Sequence, residues 1–360
     1  MILRYAAVVL LLSLSTALSA QSSAPDAVFE RARSRNEGVV ARLGTAEVLR
    51  IGRSEKPRDP FNELLRKAGV ERPGQLRSDN ALYGVSGYGG YVVPMATVAD
   101  AAGHLYITGA ASDGGRPEAR QFTLKLDANG DTLWRVWETG TKYAAEHGMA
   151  IALDAEGAPI VAGSYWNGTD MDIRLTKYGT DGSTLWQSIH TGAGEGLDLP
   201  TAMTLDTDGN VLVTGISWSG VSIDYVTLKY DADGALLWSV TDNGVGGATW
   251  NEPADLATDA EGNVYVTGFS ENAQYWDCYY TVKYSASGQP LWQQRYTYTG
   301  PPSINNSYAR AITVDDAGNA YVTGTIDRGN SRFGTIKYDA DGVQQWMETY
   351  RSGTELTDAY

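Results

Sequence analysis

The sequence is poor in the residues that build disulfide scaffolds and metal sites. Cys278 is the only cysteine, so a disulfide within the chain is excluded and a stable fold must come from a packed core. Histidine occurs only at His104, His147 and His190, in positions that do not suggest converging metal ligands. We therefore expect no metal site.

Long apolar runs and positive charge are also scarce. After residue 20, no stretch reaches the roughly 18 to 20 apolar residues that a membrane-spanning helix needs. The chain has 28 Lys and Arg against 43 Asp and Glu, for a net charge of −15. An acidic surface repels phosphate backbones and anionic lipids. We expect no nucleic-acid binding and no membrane insertion, whereas neutral glycans, cations and basic proteins remain possible partners.

The first 20 residues have the organisation of a signal peptide. Arg4 supplies a positive charge, residues 6–14 form an apolar stretch, and residues 17–20 (ALSA) provide the small side chains that a signal peptidase requires. The sequence therefore predicts export, to the periplasm, the cell surface or the extracellular space.

What the chain has in quantity is glycine, tyrosine and tryptophan, and two of these residues recur with a period of about 53 residues. One series of glycines closes a strand-like run such as VYVTG; these strand-closing glycines are Gly109, Gly163, Gly215, Gly268 and Gly324. A second series consists of tryptophans, at Trp134, Trp186, Trp238, Trp292 and Trp346. Five units therefore repeat in register.

Each unit predicts four short strands, A to D. A D-x-x-G turn separates strands A and B, and a second glycine turn, four residues before the tryptophan, separates strands C and D. Glycine supplies the positive φ that such turns need, and the aspartate can accept hydrogen bonds from the turn's own backbone. Four strands per unit, with turns every 8 to 12 residues, are typical of a β-propeller blade. The predicted fold class is all-β, a propeller of four-stranded antiparallel blades.

Two partial units flank the five complete ones. Residues 81–90 align with a strand D, and residues 356–360 align with the approach to a strand A, which predicts six or more blades in the full ring. We assign residues 1–20 to the signal peptide, 21–80 to a linker with short helices, and 81–360 to a C-terminally truncated propeller. Pro57, Pro60 and Pro73 interrupt the predicted helices.

The segments DLATDAEGNVYVTGFS and DYVTLKYDADGALLW resemble the bacterial β-propeller repeat called the SBBP, or seven-bladed, repeat. The resemblance covers residues 81–360. It implies a propeller on an exported protein, commonly one module of a larger chain, and it implies no single activity.

Residues that repeat in every blade indicate packing rather than function. We expect the periodic tryptophans to lie between neighbouring blades. The periodic lysines of strand C should lay their aliphatic stems on an aromatic ring while the ammonium group reaches a carboxylate; they are Lys125, Lys177, Lys229, Lys283 and Lys337. The D-x-D-G turns lack the distal glutamate of a calcium loop, so we interpret them as hairpin turns.

Residues that do not repeat mark the candidate ligand site. The B-to-C and D-to-A loops emerge on one face of a propeller, and four of the tryptophans outside the periodic series lie in these loops. Aromatic rings beside carboxylates can bind sugars or peptides, whereas the alternative is that they only pack the loops together. The predicted ligand-binding residues are Trp166, Trp218, Trp250, Trp276, Asp172, Asp224 and Asp277.

The sequence contains no GxSxG, HExxH, P-loop or CxxC motif, so we assign no catalytic residue and expect no cofactor. Its first interpretation is a non-enzymatic exported scaffold that binds a protein or a glycan through its loop face, with the oligomeric state left open. The alternative is a polysaccharide-acting hydrolase or lyase with carboxylates near the central channel. Two carboxylates from different blades that converge would favour the enzyme.

Overall fold

The computed structural model describes residues 91–112, 119–138, 146–244, 250–297, 306–326 and 332–351. In these residues every regular element is a β-strand, and the strands form five four-stranded antiparallel sheets. The chain is an all-β propeller, as the repeat predicts. No helix in this part of the chain is long and apolar enough to cross a membrane.

Each sheet is one blade built from four strands that are consecutive in sequence. Blade one contains β1 (Tyr91–Ala99), β2 (Leu105–Ser112), β3 (Arg120–Leu126) and β4 (Thr132–Trp137). Blade two contains β5 (Gly148–Leu153), β6 (Pro159–Trp166), β7 (Met171–Tyr178) and β8 (Thr184–His190). Blade three contains β9 (Leu199–Leu205), β10 (Val211–Trp218), β11 (Ile223–Tyr230) and β12 (Leu236–Asp242).

Blade four contains β13 (Asn251–Thr258), β14 (Val264–Glu271), β15 (Asp277–Tyr284) and β16 (Pro290–Tyr296). Blade five contains β17 (Tyr308–Val314), β18 (Ala320–Ile326), β19 (Arg332–Tyr338) and β20 (Gln344–Arg351). The predicted order of strands A to D in each unit is confirmed. The two partial units, the linker and the signal peptide lie outside the described residues.

The A strands are the inner strands of the blades, and each packs against the A strand of the next blade: β1 on β5, β5 on β9, β9 on β13, and β13 on β17. Strands B and C are almost continuously buried because both of their faces are covered by neighbouring blades, whereas in strands D exposed side chains alternate with partly buried ones. β17 and β1 make no comparable contact, so the five described blades form an open arc.

Both glycine turns have the geometry that the repeat predicts. In the A-to-B turn of blade three, Asp206 Oδ1 accepts hydrogen bonds from the backbone N–H of Asp208 and of Asn210, at 3.0 and 2.9 Å. Gly209 then adopts a φ of +79°, which a residue with a β-carbon would adopt only with strain.

Glycine is required at the strand-closing position for a different reason. The inner strand carries a β-bulge opposite it, and this bulge brings a backbone carbonyl oxygen close to the glycine. A β-carbon added to Gly215 would lie 2.1 Å from the carbonyl oxygen of Leu199, and one added to Gly268 would lie at the same distance from that of Glu252. Glycine ends the VTG run because the bulged inner strand leaves no room for a side chain.

Consecutive blades are held together by a contact that we call the blade joint: the strand D indole of one blade on the C-to-D glycine turn of the next. Trp186 donates its indole N–H to the carbonyl of Ala232 at 3.0 Å, and a β-carbon on Gly234 would lie 2.7 Å from that indole. The other joints pair Trp134 with Thr180, Trp238 with Ala286, and Trp292 with Ala340, at 2.8 to 3.0 Å. The predicted position between neighbouring blades is confirmed for these four tryptophans, whereas the fifth, Trp346, is 40% exposed among the described residues.

The strand C lysines strengthen the same joint. Lys283 Nζ lies 4.7 Å from the centre of the Tyr265 ring and 3.6 Å from Asp259, and it donates to the carbonyl of Ala340 in the next blade at 3.2 Å. Lys177 and Lys229 make the same kinds of ion pair and interblade bond. The predicted combination of aromatic contact and carboxylate partner is confirmed for Lys283; Lys125 and Lys337 show the aromatic contact, and Lys177 and Lys229 show the carboxylate partner.

Candidate functional site

The loop faces of blades two and three meet at a short parallel bridge between Met171 and Leu197. Met171 begins strand C of blade two, and Leu197 lies in the loop that leads into β9, the inner strand of blade three. The N–H of Asp198 donates to the carbonyl of Met171 at 2.7 Å, and the N–H of Met171 donates to that of Gly196 at 3.2 Å. This bridge brings acidic residues of two blades to one place.

Among these acidic residues, Asp170 has a structural role. Its carboxylate accepts hydrogen bonds from the side-chain amide of Asn167 and, at 2.8 Å, from the backbone N–H of Gly196. Because both of its oxygens have donors, the charge is compensated although the side chain is buried. Asp170 thereby fixes the loop of blade three to the loop of blade two.

Asp172 and Asp198, which we call the acidic pair, are less well satisfied. Asp172 Oδ2 accepts a hydrogen bond from the Asn167 amide at 2.9 Å, and Asp198 Oδ2 accepts one from the backbone N–H of Gly192 at 2.7 Å. Oδ1 of each residue is buried and has no donor in hydrogen-bonding geometry among the described residues. An unsatisfied buried carboxylate oxygen is costly, which favours either a bound proton or a ligand at this position.

The pKa values of the acidic pair shift in the same direction. Burial raises the pKa of Asp198 from its ordinary 3.8 to about 6, and the charge of Asp172 adds to the rise, while the nearby Ser217 hydroxyl and the Gly192 N–H oppose it. Burial also raises the pKa of Asp172, and the charge of Asp170 contributes in the same sense. Burial disfavours the ionised form of both groups, and Asp198 retains its proton into the weakly acidic range.

A glycine-rich loop, residues 191–197, covers the acidic pair. A β-carbon on Gly192 would lie 2.5 Å from Asp198 Oδ1, and one on Gly196 would lie 2.4 Å from the Trp218 indole. One on Gly194 would lie 2.7 Å from the backbone nitrogen of Gly220. The three glycines therefore let the loop backbone lie directly on the acidic residues and on the end of β10.

This loop forms one wall of an open cleft of about 250 Å³, which we call the acidic cleft. The lining residues are Asn167, Thr169, Asp170, Thr191, Gly192, Ala193, Gly194 and Glu195. Gly192 belongs to the wall, and its N–H donates to Asp198. The carboxyl group of Asp198 therefore lies directly behind this wall. In the part of the chain that the structure describes, no three His, Cys, Asp or Glu side chains are arranged to hold a metal ion.

The position of Asp198 is polar in each of the four described blades that begin with a D-to-A loop. In each inner strand, one residue pairs with the strand-closing glycine, and the position of Asp198 lies two residues before it. The residues at this position are Glu146, Asp198, Asn251 and Ser307, all fully buried. Glu146 has an ion pair with Arg174 at 3.3 Å, and Asn251 donates to the carbonyl of Ile223 at 3.0 Å. Sequence reasoning missed Asp198, although its two-residue offset before the inner strand could have identified it.

Three of the predicted aromatic residues come together beside the acidic pair. Trp166 and Trp218 end strand B of blades two and three, and Trp250 immediately precedes β13. All three belong to one apolar cluster with Met171 and Ile223. Trp218 is only 9% exposed, so it packs the loops against each other rather than standing in solvent.

The remaining predicted residues lie elsewhere on the loop face. Trp276 is 40% exposed. Asp224 accepts hydrogen bonds from Ser222 and Asn251, and Asp277 accepts one from the Tyr308 hydroxyl at 2.5 Å. Asp172, Asp224 and Asp277 are all buried, because each is enclosed by the loop of a neighbouring blade. Their binding of a ligand stays a prediction.

No protein-family model matches the chain, and no curated protein matches it. Among solved structures, the periplasmic gluconolactonase of Pseudomonas aeruginosa is similar, with 14% identity, a TM-score of 0.48, and 73% of each chain covered. The α-L-arabinanase of Penicillium chrysogenum, in complex with arabinobiose, shares 12% identity with a TM-score of 0.38, over 72% of this chain and 93% of its own. Drosophila Semaphorin 1a shares 9% identity with a TM-score of 0.44, over 71% of this chain and 54% of its own.

These similarities concern the propeller fold. They also correct one expectation: the interpretation as a non-enzymatic scaffold is wrong, since the similar structures include enzymes, a lactonase and an arabinanase. The bridge that brings Asp198 of blade three beside Asp172 of blade two agrees with this correction. The activity itself has to be argued from the site.

Proposed function

We propose that the chain is a hydrolase of neutral polysaccharides and that the acidic pair carries the reaction. The supporting observation is the convergence of Asp172 and Asp198 from neighbouring blades, with a raised pKa on both and an unsatisfied oxygen on each. Glycoside hydrolysis needs one carboxyl group that holds a proton and a second that is ionised.

Asp198 is the proton donor. With a pKa of about 6, it holds a proton in weakly acidic solution and can deliver it to the departing glycosidic oxygen. Asp172 is the ionised partner; the Asn167 amide stabilises its charge through the bond to Oδ2. The ionised carboxylate either activates a water molecule or attacks the sugar carbon.

The negative charge of the chain favours neutral substrates over anionic ones. Polysaccharide lyases act on uronic acids, whose carboxylates an acidic cleft with Asp170 and Glu195 in its lining would repel. Neutral polysaccharides, the arabinan class among them, carry no such charge. Hydrolysis is therefore favoured over elimination.

For a substrate to reach Asp198, the Gly192 segment, which forms the cleft wall in front of it, has to move aside. The segment has no side chain at Gly192 or Gly194, and its neighbours Ala193 and Glu195 are exposed. In the closed arrangement the Gly192 N–H satisfies one Asp198 oxygen, and bound sugar hydroxyls can replace this donor.

The test is hydrolysis of a panel of neutral polysaccharides, measured as new reducing ends. Asp198→Asn should lower kcat by roughly 10²- to 10⁴-fold, the usual loss for a general acid. Asparagine occurs naturally at the equivalent position as Asn251, so the variant should fold. Asp181→Asn, in an exposed turn of blade two away from the loop face, is the matched control and should keep full activity.

Activity should also fall as the pH rises through about 6, because Asp198 then loses its proton. Hydrolysis that is unchanged in Asp198→Asn, or an absence of hydrolysis across the whole panel, would contradict the proposal. An unsaturated product end would identify a lyase instead.

Membership of the SBBP repeat family and export by a signal peptide belong to the same proposal. The periodic turn, VTG and tryptophan segments support the first, and residues 1–20 support the second. The similar gluconolactonase is described as periplasmic, which is compatible with export. N-terminal sequencing of the protein from the culture fractions tests export: a mature chain that begins at residue 21 is expected, and a cytoplasmic chain that keeps residues 1–20 would contradict it.

A further inference from the structure

The strand C residue that pairs with the strand-closing glycine differs in charge from blade to blade, and we call its place the counterion position. The residues at this position in blades two to five are Arg174, Val226, Tyr280 and Gly334. The buried polar position of Asp198 is defined by the same glycine, on the inner strand instead of strand C. The two positions of a blade can therefore be compared as a pair.

In blade two the buried acid is neutralised. Glu146 is fully buried, and its Oε2 lies 3.3 Å from Arg174 Nη2. Its Oε1 accepts the backbone N–H of Trp166 at 3.3 Å, so both oxygens have a donor. Burial raises the pKa of Glu146, the charge of Arg174 opposes this rise, and the charge of Glu138 in blade one adds to it. Gln121 of blade one accepts a bond from Arg174 Nη2 at 3.3 Å and helps to hold the guanidinium in the interface.

In blade three the counterion position is apolar. Val226 is fully buried and belongs to one apolar cluster with Ile173 of blade two, which has the strand position that Gln121 has in blade one. Neither of these side chains can pair with a carboxylate. Asp198 accordingly keeps a buried Oδ1 without a donor, and it forms no ion pair with a described Lys, Arg or His.

The other titratable groups near Asp198 do not replace the missing cation. Asp172, on β7, has the same sign of charge and raises the pKa of Asp198. Asp170 acts on Asp172 in the same sense. His190 ends β8 and pairs with Ile173 across the strands, but burial lowers its pKa, so it supplies no positive charge at neutral pH.

Blades four and five have no acid at the position of Asp198. Asn251 and Ser307 are uncharged there and need no counterion. Tyr280, at the counterion position of blade four, donates its hydroxyl to Asp242 at 2.9 Å instead. Among these four blades, blade three alone combines a buried acid with an uncharged counterion position.

We propose that Val226 is a positioning residue of the acidic cleft, because an apolar side chain at the counterion position leaves Asp198 unpaired and able to exchange a proton. The proposal rests on the proposed function, in which Asp198 is the proton donor, and it identifies what fits this carboxyl group for that role. It also explains why the reaction is assigned to blades two and three. Glu146 has the equivalent position in blade two, but Arg174 makes it part of a structural ion pair.

The experiment transfers the blade-two arrangement to blade three. The double variant Ile173→Gln/Val226→Arg supplies the counterparts of Gln121 and Arg174. The pKa of Asp198 is measured without substrate, by NMR titration of the carboxyl carbons. It should fall from about 6 toward its ordinary 3.8, because an adjacent positive charge favours the ionised form. Ile173→Gln/Val226→Met is the matched control; its added side chain is long but neutral, and the pKa should stay near 6.

Arg174→Met makes the reverse test in blade two. The pKa of Glu146 should rise further, because the buried carboxylate has lost its counterion. A raised pKa means that stability is present in acid and is lost as the pH rises, so the variant should unfold more easily at pH 8 than at pH 5. Arg174→Lys keeps a positive charge and should give a smaller rise than Arg174→Met.

The titrations decide the proposal independently of any hydrolysis. An Asp198 pKa that stays near 6 in the folded double variant would overturn it. If the double variant does not fold, Arg174→Met decides, and an unchanged Glu146 pKa in that variant would overturn the proposal. A native chain that hydrolyses no polysaccharide, while both pKa values shift as expected, would refute the hydrolase and support the role of the counterion position. Where hydrolysis is found, the pH at which activity falls should be lower in the double variant than in its control.

Discussion

Blades two and three contact each other at two ends, and the two contacts differ in how well their polar groups are hydrogen-bonded. At the turn end, Trp186 donates to Ala232 and packs on Gly234, an arrangement repeated at every internal joint. At the loop end, Asp172 and Asp198 are buried, mutually repelling and incompletely hydrogen-bonded. The same pair of blades is thus tightly satisfied at one end and left unsatisfied at the other.

The difference shows how a repeat fold can hold a costly site. The joints supply apolar burial and hydrogen bonds in every blade. This stabilisation offsets the free-energy cost of the unsatisfied carboxyl groups at a single loop end. Unsatisfied polar groups cluster where function requires them and persist because the surrounding structure fixes them. The loop end of blades two and three should therefore respond to substitution differently from the turn end.

The largest effect should come from Trp218, which packs the loop end. Trp218→Ala should lower the free energy of unfolding by about 3 to 5 kcal/mol, because it empties a buried site beside Gly196. Trp276→Ala, at an exposed tryptophan of the same face, should cost under about 1 kcal/mol. Urea unfolding of both variants measures the difference, and equal losses would show that Trp218 is not a packing residue.

The turn end should be the next most sensitive. Trp186→Ala should cost about 2 to 4 kcal/mol, somewhat less than a fully buried tryptophan, because its indole is partly exposed. Trp346→Ala removes the same residue type from the same strand position where no described blade covers it, and should cost under about 1 kcal/mol. The comparison is made on monomeric protein at low concentration. A Trp346 loss as large as the Trp186 loss would mean that the joint contributes no stability.

The acidic pair should show the smallest effect on stability, and one that depends on pH. The folded chain holds the Asp198 proton between its ordinary pKa of 3.8 and about 6, whereas the unfolded chain releases it. Stability from this group is therefore complete below about pH 4 and is lost as the pH rises to about 6. Asp198→Asn should remove this loss, which is on the order of 2 to 3 kcal/mol.

Unfolding free energies of the native chain and of Asp198→Asn, measured from pH 4 to pH 8, test this. The gap between the two should change in favour of the variant as the pH rises. Asp315→Asn is the control: hydrogen bonds from Asn319 lower the pKa of Asp315 to about 2, so its contribution is constant from pH 4 to pH 8 and is lost only below about pH 4. A gap that is constant across the series would show that Asp198 has an ordinary pKa when folded.

The repeat made most of the fold predictable, since periodic features report on packing that every blade shares. The strand order, the Asp206 turn and the role of Trp186 all follow from residues at fixed offsets. The site was less predictable because it depends on which loops of two blades meet. Asp172 was identified from its loop, but Asp198 was not, since its burial comes from the Gly192 loop and from a bridge to Met171.

The loop tryptophans show the same limit. Trp218 has the sequence context of an exposed loop residue, yet Met171 of blade two, the Gly196 loop and Trp250 pack around it. Hydrophobic periodicity within one chain segment does not show which of its side chains a neighbouring blade buries. For Trp276 no such cover exists among the described residues, and it alone of the four is exposed.

The blade joint also has a consequence for how such a chain can grow. Indole and glycine turn lie in the same unit of about 53 residues, so each unit carries the contact for the blade before it and for the blade after it. A duplicated stretch of gene therefore encodes a blade that already fits both neighbours, with no new interface to evolve. The loops at the opposite end take no part in this fit, which leaves them free to diverge from one copy to the next.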